Sequence, residues 1–120
     1  MSILLDTNVA LYLLQGRLEV PLPVEPTFIS VISEMETLGY PDLSEDEERA
    51  IRGFAASVRV VQLDLPVQEA AIRLRRERRL RLPDAIIAAS ALVVRADLLT
   101  NDERLLGLAG LTVRSVNLVR

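Results

Sequence analysis

Two stretches of this chain run apolar residues straight into a polar triplet. Ile3-Leu4-Leu5 leads into Asp6-Thr7-Asn8, and Leu98-Leu99 leads into Thr100-Asn101-Asp102. Neither alternates as a strand with one wet face would. An unbroken apolar run closed by turn-forming residues is the pattern of a strand buried on both faces. Such strands belong to sheets covered by helices on both sides, where chemistry collects at the carboxyl edge. Asp6 would stand at that edge. An aspartate there serves equally well as the cap of the following helix, and Thr100 with Glu103 has capping-box spacing. On these residues alone, both readings stay open.

The remaining chain alternates short β-rich runs with helical periodicity. Thr27–Ser30, Val58–Leu63 and Leu111–Val116 read as further strands, which makes five with those ending near Leu5 and Thr100. Helices are expected over Val9–Gln15, stopped by Gly16, and over Val31–Leu38, stopped by Gly39 and Pro41. Ser44 and Glu47 have capping-box spacing at the head of a helix running to about Ala55. Pro66–Arg79 carries an apolar stripe of Val67, Ala70, Ala71 and Leu74, and Ala85–Val94 is apolar nearly all round. A last helix starts near Asp102 and Glu103 and is broken by Gly107 and Gly110. Strands alternating with helices predict an α/β fold with a mostly parallel sheet. The length, 120 residues, suits one domain spanning residues 1–120.

What the chain lacks narrows its chemistry. It contains no cysteine, no histidine and no lysine, and its 14 basic residues are all arginine. Thiol chemistry, imidazole acid–base catalysis and histidine–metal ligation are therefore excluded. Carboxylates, hydroxyls, arginines and a bound metal remain, and a site built from carboxylates selects hard cations such as Mg²⁺ or Mn²⁺. The net charge of −3 argues against a generally basic nucleic-acid binder, and with 2 Tyr, 2 Phe and no Trp there is little for base stacking. No apolar run approaches the ~18–20 residues of a membrane span, and no signal peptide is apparent. A cytoplasmic protein with no membrane partner is expected.

Four acids stand where such a fold would gather them. Asp6 and Asp102 follow strands; Glu36 and Asp84 lie on helices able to approach the same edge. Glu34 and Glu36 are about 200° apart around a helix, so only one can face the crevice. Asp84 in the first turn of the apolar helix would also suit the helix dipole. Clustered in one crevice, four carboxylates repel one another unless a cation is held there or some are protonated. Beside them, Arg73, Arg75, Arg76, Arg78, Arg79 and Arg81 form a basic run. Its plain reading is a solvated face, with Glu69–Arg73 and Glu77–Arg81 spaced as surface ion pairs. Its functional reading is a phosphate patch, with Arg81 the nearest contributor.

Four blocks in this order resemble the signature blocks of the PIN-domain nucleases, and more closely the VapC-type toxins of toxin–antitoxin pairs. They are Leu4-Leu5-Asp6-Thr7-Asn8, Ile29-Ser30-Val31-Ile32-Ser33-Glu34-Met35-Glu36, Leu82-Pro83-Asp84-Ala85-Ile86-Ile87-Ala88 and Leu99-Thr100-Asn101-Asp102. The resemblance covers essentially the whole chain. It implies a three-layer α/β/α domain with a parallel five-stranded sheet and Mg²⁺- or Mn²⁺-dependent endonucleolytic cleavage of RNA. By position, Asp6, Glu36, Asp84 and Asp102 match the acidic quartet, with Glu36 favoured over Glu34 because it lies three residues after Ser33. Asp6 and Asp84 would be the principal metal ligands, Glu36 and Asp102 would complete the shell directly or through water, and Thr7, Asn8 and Thr100 would steady the acids or the metal's waters. Whether Glu34 or Asp97 also contributes is open at this point. The resemblance further implies an antitoxin protein as partner and a homodimer. Rival readings are an idle binding module of the same fold, a housekeeping RNA-processing nuclease, and an aspartyl-nucleophile phosphatase. The last needs a second aspartate where this chain has Asn8.

Overall fold

A computed structural model describes residues 1–119. Its centre is β1 (Ile3–Leu5), fully buried and flanked on both sides by other strands. On one side lie β2 (Thr27–Ser30) and then β3 (Arg59–Val61); on the other lie β4 (Asp97–Leu99) and then β5 (Val113–Arg114). All four pairings are parallel, and Leu4 stands opposite both Phe28 and Leu98. The order β3-β2-β1-β4-β5 reverses direction at β1. Between β1 and β4, the connecting chains leave in opposite directions and open a crevice beyond the strand ends.

The lack of alternation in the sequence has its cause in two separate cores, one per face. Leu4 and Leu98 point to a core shared with α4 (Leu65–Arg78) and α5 (Leu82–Val94). Ile3, Leu5, Ile29 and Leu99 point to the other, covered by α1 (Thr7–Leu14) and α3 (Glu45–Ser57). Between β2 and α3 runs α2 (Val31–Leu38), capped by Ser30 through the Ile32 N–H at 3.1 Å. The result is the expected three-layer α/β/α arrangement on a parallel five-stranded sheet. In α5, Ala85, Ala88, Ala89 and Ala91 are buried, and side chains this small let α4 and the sheet approach closely.

Several boundaries differ from the sequence expectation, each for a local reason. Helix α1 starts at Thr7 rather than Val9 because Asp6 caps it directly. Helix α5 starts at Leu82, ahead of its apolar stretch, since Pro83 fits the first turn. The helix expected after Asp102 is a single 3₁₀ turn, Glu103–Leu105, followed by Gly107 at φ 77°. No capping box forms there; Thr100 Oγ1 accepts the Asp102 N–H at 3.0 Å instead. The box of Ser44 with Glu47 does form. Strands β3 and β5 are shorter than Val58–Leu63 and Leu111–Val116, as edge strands are paired on one side only. Helix α4 ends at Arg78, and Arg79 turns into the left-handed region at φ 54°. Among the described residues, neither Glu69–Arg73 nor Glu77–Arg81 is an ion pair; Arg81 pairs with Asp84.

Leu4→Ala should cost about 3 kcal/mol, because it removes a fully buried side chain from the central strand and leaves a cavity. Urea denaturation should show the lower midpoint with an unchanged slope.

Candidate active site

Asp6 is the residue that β1 delivers to the crevice, and it both caps and lines it. Its Oδ1 accepts the Thr7 N–H at 2.7 Å, and its Oδ2 accepts the Thr100 hydroxyl at 2.6 Å. Capping and a site role, alternatives in the sequence, coexist because each uses a different oxygen. Thr100 itself is buried at the end of β4. Since its Oγ1 also accepts the Asp102 N–H, its single proton is directed at Asp6. Burial pushes the Asp6 carboxyl above its ordinary value; the bonds from Thr100 and Thr7 oppose that, and the charges of Asp84 and Asp102 add to it.

Glu36 comes from α2. Thr7 Oγ1 donates to Glu36 Oε1 at 3.0 Å and lies 2.7 Å from Ser33 Oγ. With the Thr7 proton used on Glu36, the Ser33 hydroxyl must donate to Thr7. Glu34, two residues earlier, lines a different surface hollow with Arg52. The helical angle thus separates the two glutamates as expected. Asp97 is also elsewhere: it starts β4, at the amino edge of the sheet, and holds Arg114 at 2.6 Å.

Asp84 lies in the first turn of α5 but caps no backbone N–H there; the N-cap position is Arg81, which makes no side-chain cap bond. The Asp84 side chain is 13% exposed and its Oδ2 takes Arg81 Nε at 3.0 Å, with Arg104 Nη2 at 3.6 Å. Asp102 binds Arg104 through two contacts, Oδ1 to Nε at 3.0 Å and Oδ2 to Nη2 at 2.7 Å. That pairing holds the Asp102 carboxyl below its ordinary value.

Asp6, Glu36, Asp84 and Asp102 therefore line one open cavity of about 330 Å³, together with Arg81 and Arg104. Thr7 and Asn8 also line it, Thr7 bound to Glu36 and Asn8 exposed; Thr100 supports it from below. Among the described residues, no three carboxylates converge as a ready-made metal cage. Guanidinium groups stand between them. Sequence reasoning missed Arg104 and the Tyr40 on the rim. Arg104 lies two residues after Asp102, and only the tight 3₁₀ turn makes that spacing a contact.

A PIN domain family model matches residues 3–111. The chain belongs to the PIN domain family. Among solved structures, this PIN domain is similar to a chain of a toxin–antitoxin complex from Klebsiella pneumoniae. The identity is 30%, covering 92% of this chain and 95% of that one, with a TM-score of 0.75. It shares its fold with VapBC2 from Rickettsia felis bound to a promoter DNA fragment, at 17% identity, 98% and 100% coverage and TM-score 0.77. The same holds for DNA-bound VapBC from Salmonella typhimurium, at 20% identity, 96% and 98% coverage and TM-score 0.77. No curated protein matches the chain by sequence.

Because burial makes the Asp6 charge costly, Asp6→Asn, which cannot ionise, should remove the loss of stability that ionising Asp6 causes as pH rises. A raised acid pKa means the folded state binds the proton more tightly, so stability falls as pH rises from the unfolded value through the folded one. Thermal unfolding at pH 5 and pH 8 should show the variant's midpoint improving relative to that of the unaltered protein on going to pH 8. A difference between the two midpoints that is the same at both pH values, or that turns against the variant at pH 8, would contradict this.

Proposed function

We propose that this PIN domain is a metal-dependent endoribonuclease and the toxin of a toxin–antitoxin pair, with the nuclease unit spanning residues 1–120. The observation that carries the reading is the meeting of Asp6, Glu36, Asp84 and Asp102, from separate elements, in one crevice at the switch point of the sheet. Structural demands alone do not bring four acids together, since their repulsion opposes folding.

The donor set suits a hard cation. Every available ligand atom is oxygen, and the Asp6 carboxylate is costly to ionise without a positive partner. Mg²⁺ retains several waters and is typically held by one or two carboxylates plus substrate phosphates, so a full protein cage is not required. Asp6 and Asp84 are the residues that would hold Mg²⁺ or Mn²⁺. When bound, the ion supplies charge neutralisation at the phosphate and makes water more acidic.

The chain's own residues do the rest. Thr100 fixes the direction of the Asp6 carboxylate, and Thr7 fixes that of Glu36. With neither histidine nor lysine in the chain, the proton of the attacking water falls to a carboxylate or to a second water. Of the carboxylates, Glu36 fits that role best. Its Oε1 is held by Thr7, and it stands apart from the arginine pairs that engage Asp84 and Asp102. Arg81, 68% exposed and aimed at Asp84, supplies positive charge for a phosphate in an otherwise acidic chain.

The 30% identity to a chain of the Klebsiella pneumoniae toxin–antitoxin complex supports a protein antitoxin as partner. A homodimer acting in the cytoplasm completes the reading; among the described residues, no helix is long and apolar enough to cross a membrane.

Asp84→Asn, isosteric but neutral, should reduce Mn²⁺-dependent cleavage of single-stranded RNA by roughly a hundredfold or more. Its circular dichroism spectrum should match the unaltered protein. Expression of the unaltered chain should arrest growth, and Asp84→Asn should relieve the arrest. Full cleavage by the variant would remove the catalytic assignment of Asp84, and no cleavage by the unaltered chain would favour a binding module.

A further inference from the structure

The four acids of the crevice are not equivalent. Asp6 is buried and bound by neutral donors, a backbone N–H and a hydroxyl. Asp102 is committed. Its Oδ1 accepts both the backbone N–H of Arg104 and its Nε, each at 3.0 Å, and its Oδ2 accepts Arg104 Nη2 at 2.7 Å. Three charge-assisted or backbone bonds from one neighbour close a compact ring inside the 3₁₀ turn. Arg104 reaches Asp84 only as a looser ion pair, at 3.6 Å. Planar two-point pairing of guanidinium and carboxylate is among the strongest of such contacts, and it fixes orientation as well as distance.

We propose that Asp102 is a positioning residue for Arg104, outside the metal shell, and that Arg104 binds the phosphate of the RNA beside Asp6 and Asp84. The proposal deepens the nuclease reading and rests on it. Arg104 lines the same cavity as the acids, and its side chain is 57% exposed despite the anchor. Nε and Nη2 hold the aspartates, so the Nη1 amino group is left for a ligand. A chain of net charge −3 needs local cations to bring a polyanion into an acidic crevice. Arg81 at the N-cap of α5 and Arg104 in the turn after β4 supply two, both in contact with Asp84 Oδ2. For Asp6 and Asp84 to hold a divalent ion, the Arg81 and Arg104 contacts on Asp84 Oδ2 would have to loosen, whereas the Asp102–Arg104 pair would not. Asp102 keeps the guanidinium at the crevice, where a phosphate can replace Asp84 as its second anion.

The decisive test removes the pair together. Asp102→Asn combined with Arg104→Gln deletes one negative and one positive charge, which leaves the net charge near the ion unchanged. Titration calorimetry with Mn²⁺ and no RNA should give the double variant a Kd within about twofold of the unaltered protein, whereas Asp84→Asn weakens binding by roughly tenfold or more. With saturating Mn²⁺, the double variant should raise KM for a short single-stranded RNA several-fold. Its salt-dependence slope should fall by about 0.7, the value for one phosphate fewer neutralised. Arg104→Gln alone should raise KM as much as the double variant, because Asp102 acts through it. Arg104→Lys, which keeps the charge but loses the planar fork, should recover part of the KM. A double variant that loses Mn²⁺ as Asp84→Asn does would make Asp102 a ligand and overturn the proposal. So would an unchanged KM and salt slope. If the unaltered protein neither binds Mn²⁺ nor cleaves RNA in its presence, the nuclease reading fails, and this proposal with it.

Discussion

A single carboxylate buried at the end of the central strand sets the terms for this molecule. Asp6 follows three fully buried residues and sits where the strand order reverses, between β1 and β4. Removing its charge from water is expensive, and the fold offsets the cost with one donor from each flanking connection. The Thr7 N–H comes from the helix that Asp6 caps, and the Thr100 hydroxyl comes from the neighbouring strand end. The second bond ties residues 94 apart in sequence. It is therefore a tertiary constraint as much as a site contact: β1 and β4 must be paired in register for it to exist.

Around that carboxylate the crevice is arranged as a set of compensated charges. Asp84 and Asp102 face guanidinium groups, while Glu36 faces a hydroxyl. Arginine suits this task better than lysine, because its fork can satisfy two carboxylate oxygens at once and stay charged in any environment. The consequence is geometric: guanidinium groups stand among the acids, and ion binding becomes an exchange rather than a simple addition. Placing the acids on four different elements also spreads their mutual repulsion. Each is held by hydroxyl, backbone or guanidinium donors, and Thr7 and Arg104 each serve two of the acids.

Much of the fold was legible because burial on both faces leaves a direct trace in composition. The runs at Ile3–Leu5 and Leu98–Leu99 lack alternation since each face of the sheet has its own core. Helical angle allowed only one of Glu34 and Glu36 to face the crevice, the family resemblance favoured Glu36, and the structure separates them into different hollows. Where reading by pattern failed, a short-range geometry intervened. The Thr100–Glu103 spacing suggested a capping box, but the Thr100 hydroxyl is drawn into the Asp6 bond and only a 3₁₀ turn follows. Arg104 went unnoticed because the segment reads as a helix, in which positions two apart do not share a face, whereas the 3₁₀ turn brings them together.

The residues alone determined a parallel α/β sheet, the kinds of chemistry open to a chain without histidine, cysteine or lysine, and the four acids worth following. Those depend on local pattern and on side-chain type, which a sequence carries directly. Only the tertiary structure decided which oxygen of Asp6 meets which donor, that Asp97 faces away at the amino edge, and that Asp102 is bound to Arg104. Such choices arise from strand register and from turns a few residues long. There, competition for a single hydroxyl proton or guanidinium edge is settled by distances that no one-dimensional spacing encodes.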